Sequence, residues 1–127
     1  MILAVQDLVL AYGDMLALDR VSLEVPERAI TAIVGGNGAG KTSLIRAIAG
    51  MLTPREGAIR FKEKDIAGWP SHKVVALGIG QVAEGRQLFP SLTVGENLAM
   101  GALTPRARPS AKAALERVLA LFPRLAE

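Results

Sequence analysis

The 127-residue chain contains no cysteine and a single histidine, His72. Without thiols it can form neither a disulfide nor a thiolate metal centre, and one imidazole does not make a histidine-based cluster. Aromatic residues are scarce too: one tyrosine, one tryptophan and three phenylalanines. That scarcity weighs against a nucleic-acid surface, where basic side chains are interleaved with stacking rings, despite a net charge of +3. The basic residues are scattered, and only PRAR (Pro105–Arg108) comes near a cluster. Long apolar runs are missing as well. No stretch approaches the roughly 18 apolar residues that span a bilayer. The opening MILAVQDLVLAYGD has no basic start and is interrupted by Gln6 and Asp7, so it reads as neither signal peptide nor anchor. The expectation is a soluble chain whose membrane role, if any, runs through a partner.

Half of the residues are apolar and 21% are charged, which suits one globular domain with a sizeable core. VSLEV (Val21–Val25) alternates as a strand with one wet face should. AITAIV (Ala29–Val34) is nearly all apolar and predicts a central strand buried on both sides. A helix follows, with Leu44, Ile45, Ala47, Ile48 and Ala49 placing apolar groups almost all round, which predicts burial; Gly50 ends it. GAIRF (Gly57–Phe61) reads as a strand, SHKVVAL (Ser71–Leu77) as a short helix closed by Gly78, and GIGQV (Gly78–Val82) as a further strand. Thr93 and Glu96 have capping-box spacing, so a helix starts there. A Pro/Arg-rich loop over Gly101–Pro109 leads to a last amphipathic helix, with Leu115, Val118, Leu119 and Phe122 on one face.

Between the apolar run and the first helix lies GGNGAGKT. Gly35, Gly40, Lys41 and Thr42 fill the pattern G-x-x-x-x-G-K-[ST]. Glycine permits backbone angles that turn successive N–H groups toward phosphate oxygens, and the helix start adds its unpaired N–H groups and positive dipole end. In such a loop the lysine reaches the β- and γ-phosphates and the Thr42 hydroxyl completes the shell of a Mg²⁺ ion. Guanine-specific P-loop proteins read their base with Asn-Lys-x-Asp. The only asparagines here, Asn37 and Asn97, do not precede a lysine, which disfavours GTP. Small-molecule kinases usually carry this loop after their first strand, whereas here two strand-like segments and a Tyr12-Gly13 turn come first.

With GGNGAGKTSL, VAEGRQLFPSLTVGENLAMG and LFPRL in place, the chain resembles the ATP-binding subunits of ABC transporters, most of all the branched-chain amino-acid importer group. The likeness runs along essentially the whole chain. It implies an α/β fold: a P-loop NTPase core with an N-terminal antiparallel β subdomain, incomplete at the C-terminus. Residues 1–34 would supply the β subdomain strands and central strand, 35–50 the P-loop and helix, 78–100 the Q-loop region and 101–127 the start of a helical subdomain. Tyr12 would stack on adenine, and Gly35, Gly36, Asn37, Gly38, Ala39, Gly40, Lys41, Thr42 and Ser43 would hold the nucleotide. Glu84 takes the position that senses the γ-phosphate and Mg²⁺ and couples to the membrane subunits. Gln81, three residues earlier, lies inside the predicted strand, and Ala83 stands where the family usually has proline.

Hydrolysis in this family also relies on a Ser-Gly-Gly signature, an apolar strand ending in Asp-Glu and a later histidine. None of these occurs in the 127 residues. MLALD (Met15–Asp19) precedes the cradle and is followed by Arg20, and His72 lies too early for the switch position. The expectation is therefore the N-terminal portion of an ATPase with no catalytic residue of its own. In the complete protein it would bind ATP and Mg²⁺, pair with a second ATP-binding subunit and drive transmembrane permease subunits from the cytoplasmic face of the plasma membrane. The exposed apolar face of the last helix predicts poor solubility or self-association.

Overall fold

A computed structural model describes residues 1–127, which divide into two compact units, Met1–Val74 and Val75–Glu127. The first unit is built on β1 (Leu3–Tyr12), β2 (Met15–Val25), β3 (Glu56–Phe61) and β4 (Lys64–Asp65). They form one antiparallel sheet in the order β2-β1-β3-β4. Helix α1 (Lys41–Ile48) follows the glycine loop, and α2 (Ser71–Leu77) follows the sheet.

β1 shows how the sequence sets the core. Val5, Leu8 and Leu10 are all buried, although in a regular strand Val5 and Leu8 would point to opposite faces. The ladder with β2 shifts register between Val5 and Leu8, where Asp7 sits at φ 46° and its N–H donates to Ser22 Oγ at 2.8 Å. This bulge resets the alternation and keeps the three apolar side chains inward. Leu18, Ile59, Ile66, Leu44, Ala47, Ile48, Ala49 and Val74 complete the core, so every buried apolar side chain belongs to the first unit. At Gly50, φ is +80° and an added Cβ would lie 2.5 Å from the Trp69 carbonyl oxygen, so the glycine both ends the helix region and admits the chain passing beside it.

Three expectations need correction. Ala29–Val34 forms no strand: Ile30 and Val34 are 101% and 88% exposed. Gly78–Val82 is likewise irregular, with Val82 99% exposed. A strand exists through its neighbour's ladder, and neither segment pairs with the four-stranded sheet or with the other. Apolar composition alone does not make a strand. Helix α1, expected to be buried all round, buries one face only, Ser43, Leu44, Ala47 and Ile48, and leaves Ile45 41% exposed. Two turns of helix against one layer can cover no more than a stripe.

In the second unit, the segment after α2 runs irregularly to α3 (Val94–Met100) and α4 (Ala111–Leu121), the latter flanked by short 3₁₀ turns at Arg108–Ser110 and Pro123–Ala126. The capping box read from the sequence is present: Thr93 Oγ1 accepts from the Glu96 N–H at 3.1 Å, and Glu96 Oε1 accepts from the Thr93 N–H at 3.3 Å. Leu98, Leu115 and Val118 line a groove of about 550 Å³ between α3 and α4.

Candidate nucleotide-binding site

The glycine loop is fastened at its C-terminal end. Gly40 has φ +94°, and an added Cβ would meet both the Ala17 carbonyl oxygen and Leu18 Cδ2 of β2 at 2.7 Å. Only glycine fits between the loop and the strand. Its carbonyl accepts the Leu44 N–H at 2.9 Å, so the helix hydrogen bonds begin there. Upstream, the Ala39 N–H reaches the Gly36 carbonyl at 3.2 Å and closes a turn. Gly35 to Ala39 face solvent.

Helix α1 starts with no side-chain cap and no acidic residue in its first turn. Its first N–H groups and dipole therefore offer an uncontested positive end. At Gly36 and Gly38 an added Cβ would meet nothing within 4 Å, so the outer face of the loop is open to a group the size of a phosphate. The Lys41 ammonium lies over the same loop, donating to the carbonyls of Gly35 and, at 3.2 Å, Gly36. Thr42 is exposed, with its hydroxyl available as an oxygen donor. No group of three or more His, Cys, Asp or Glu side chains gathers to hold a cation. A hard cation fits here only as a companion of a phosphate, with Thr42 as the protein's contribution.

Tyr12 ends β1 beside this loop. The residue is 46% exposed, while its hydroxyl is 3.0 Å from Ser43 Oγ, and Ser43 is 9% exposed on the buried side of α1. The structure thus brings Tyr12 together with the Gly35–Ser43 loop. Glu84 belongs to the second unit and is exposed, its carbonyl accepting from Gln87 Nε2 at 3.5 Å. Two residues escaped the sequence reading. Arg55 donates through its guanidinium to the carbonyl of Gly13, across 42 positions of chain. Asn97 takes the Phe89 N–H on Oδ1 at 3.0 Å and donates to the carbonyls of Phe89, Leu92 and Thr93. Only its position four residues after the Thr93 cap hinted at this.

The profile of the ABC transporter family matches residues 18–125. The chain is 40% identical over 116 residues to the high-affinity branched-chain amino acid transport ATP-binding protein BraG of Pseudomonas aeruginosa, covering 91% of this chain and 49% of that protein. Other branched-chain amino acid transport ATP-binding proteins match at 36–37% identity. The fructose import ATP-binding protein FrcA of Rhizobium meliloti is 39% identical over 100 residues, covering 79% and 38% of the two chains. Among solved structures, a nucleotide-free ATP-binding cassette from an ABC transporter superposes with a TM-score of 0.74 at 36% identity, covering 82% of this chain and 41% of the other. The chain thus spans half or less of the length of the relatives it matches. Its antiparallel β subdomain and its loop-then-helix segment have the α/β fold of ATP-binding cassettes, and the chain belongs to the ABC transporter family.

Proposed function

We propose that the chain is the nucleotide-holding part of an ATP-binding subunit that powers import of branched-chain or other hydrophobic amino acids. The observation that carries this reading is the Gly35–Thr42 loop, pinned to β2 at Gly40 and opening onto an uncapped helix start beside Tyr12. The roles follow from the chemistry. Loop N–H groups from Asn37 to Ser43 receive phosphate oxygens, Lys41 exchanges its loop carbonyls for the β- and γ-phosphates, and the exposed face of Tyr12 stacks on adenine. Mg²⁺ bound with the phosphates, with Thr42 as a ligand, neutralises their charge. Glu84 is the residue proposed to sense the γ-phosphate and couple to the permease.

In the complete assembly a second ATP-binding subunit and transmembrane permease subunits are the partners. Attachment to the cytoplasmic face would run through those partners, and no helix of this chain is long and apolar enough to cross a membrane. The similarity to BraG favours amino-acid cargo. A second reading, an ABC ATPase for another cargo, has its support in the 39% identity to a fructose import protein. The first test is titration of the chain with ATP and Mg²⁺, followed by calorimetry. Binding is expected, weakened by roughly tenfold or more in Lys41→Ala through loss of a charge-assisted contact. Equal affinity of parent and variant would refute the cradle.

A further inference from the structure

The tip of the β3–β4 hairpin adopts a backbone that its residues disfavour. Its two turn residues, Lys62 and Glu63, have φ 48° and 68°. Glycine and asparagine take such angles with little strain, whereas longer side chains do so rarely. The turn nevertheless carries two charged side chains, and a third follows at Lys64, all exposed. Both lysines rest on rings. The Lys62 ammonium lies 5.4 Å from the centre of Phe61, and the Lys64 ammonium 5.2 Å from that of Trp69. At such distances the ring quadrupole attracts the cation. Phe61 and Lys64 are paired in the ladder, so the two ring–ammonium units adjoin. The Lys62 N–H donates to the Ile2 carbonyl at 2.9 Å, which brings Met1, 63% exposed, to the same end of the sheet.

We propose that this tip is a contact site for anionic lipid headgroups, in addition to any attachment through partner subunits. Its chemistry suits a membrane interface: half-buried rings with apolar bodies, and exposed lysines whose stems cover apolar surface. Of the two neighbouring acids, Asp65 is turned back onto the Ala67 N–H at 3.0 Å, which leaves Glu63 as the acid on the turn itself. Nucleic acid fits less well, because each ring is half-buried with an ammonium over it, and bases stack on bare ring faces. An extended peptide fits less well too, since β4, the strand at this edge, is two residues long. The inference is independent of the nucleotide-binding reading.

The test floats the full chain with vesicles through a density step, so that bound chain rises and self-associated chain does not. Vesicles of equal parts phosphatidylcholine and phosphatidylglycerol are compared with phosphatidylcholine alone. Stronger binding is expected on the anionic vesicles, falling with salt, with a blue shift in the emission of Trp69, the only tryptophan. Lys62→Gln and Lys64→Gln should each weaken it about fivefold, the increment for one cation at an anionic surface, and Glu63→Gln should strengthen it roughly two- to fivefold. Lys62→Asn separates binding from folding. Asparagine suits the turn, so this variant should unfold at higher urea yet bind as weakly as Lys62→Gln. Lys112→Gln with Arg117→Gln removes two cations from α4 and should bind like the parent. If that control loses as much binding as Lys62→Gln with Lys64→Gln, net charge alone is at work and the proposal fails. It fails too if neutral vesicles bind equally well, which would point to the apolar end of α4. Tighter binding of a DNA duplex or of polyglutamate through the same lysines would give the tip to another polyanion and likewise overturn it.

Discussion

At the scale of single residues, the loop separates glycines needed for the fold from glycines needed for the ligand. Gly40 is wedged against Ala17 and Leu18 at a left-handed φ, so Gly40→Ala adds both backbone strain and a clash with a strand. We expect it to destabilise the chain by about 2–4 kcal/mol, measured by urea unfolding. Gly36→Ala meets no atom within 4 Å and should change stability by no more than about 0.5 kcal/mol in the same experiment. The motif was legible in the sequence because its residue types are unusual and their spacing is fixed. The tether from Tyr12 to Ser43 was not, since it depends on which way each side chain turns out of the backbone. Nor did the sequence reveal the two-residue turn between β3 and β4, where Lys62 and Glu63 adopt positive φ without the glycine or asparagine that normally marks such a turn.

Among elements, the outcome followed whether a segment carries its own partners. Helix α3 was legible because both halves of its capping box lie within four residues of each other. Val21–Val25 was legible from its alternation and the turn after β1 from Tyr12-Gly13, and the ladder they belong to is local, although β2 runs as one strand from Met15 to Val25. Ala29–Val34 and Gly78–Val82 were misread because strand formation is a property of pairs, and an apolar run records only that a segment would tolerate burial. Between these cases stands the segment Phe89–Thr93. It has no ladder, yet Asn97 supplies four hydrogen bonds to it from α3. Asn97→Ala should release it: amide exchange at Phe89 is expected to speed up by an amount corresponding to about 1–2 kcal/mol of local stability. Unchanged protection at Phe89 would show that the segment is held by something else.

For the whole molecule, the distribution of burial matters more than its total. Every fully buried apolar side chain lies between Val5 and Val74, and none lies in the second unit. On α4 and just beyond it, Leu121, Phe122 and Leu125 are 74%, 60% and 38% exposed. Apolar surface of this kind favours association. Sedimentation of the chain should therefore show a mean mass that rises with concentration, and Leu121→Lys with Phe122→Lys should reduce that rise. A chain that stays monomeric across the micromolar range, like its double variant, would contradict this. The helical spacing had announced a face of Leu115, Val118, Leu119 and Phe122, of which Leu115 and Phe122 are exposed and Val118 and Leu119 partly so; it pointed neither to Leu121 and Leu125 nor to the lack of a buried core in the second unit.

The long outer strand points to the form such association takes. β2 lies at the sheet's rim, and eleven residues of unpaired backbone on one side would ordinarily template fibril growth. Its rim is broken by register shifts, by Arg20 at φ 52°, and by exposed Asp19, Arg20 and Glu24. An incoming strand would find neither a continuous ladder nor an uncharged landing. Clumps formed through the C-terminal helix would accordingly scatter light without binding amyloid dyes, and dilution would dissolve them.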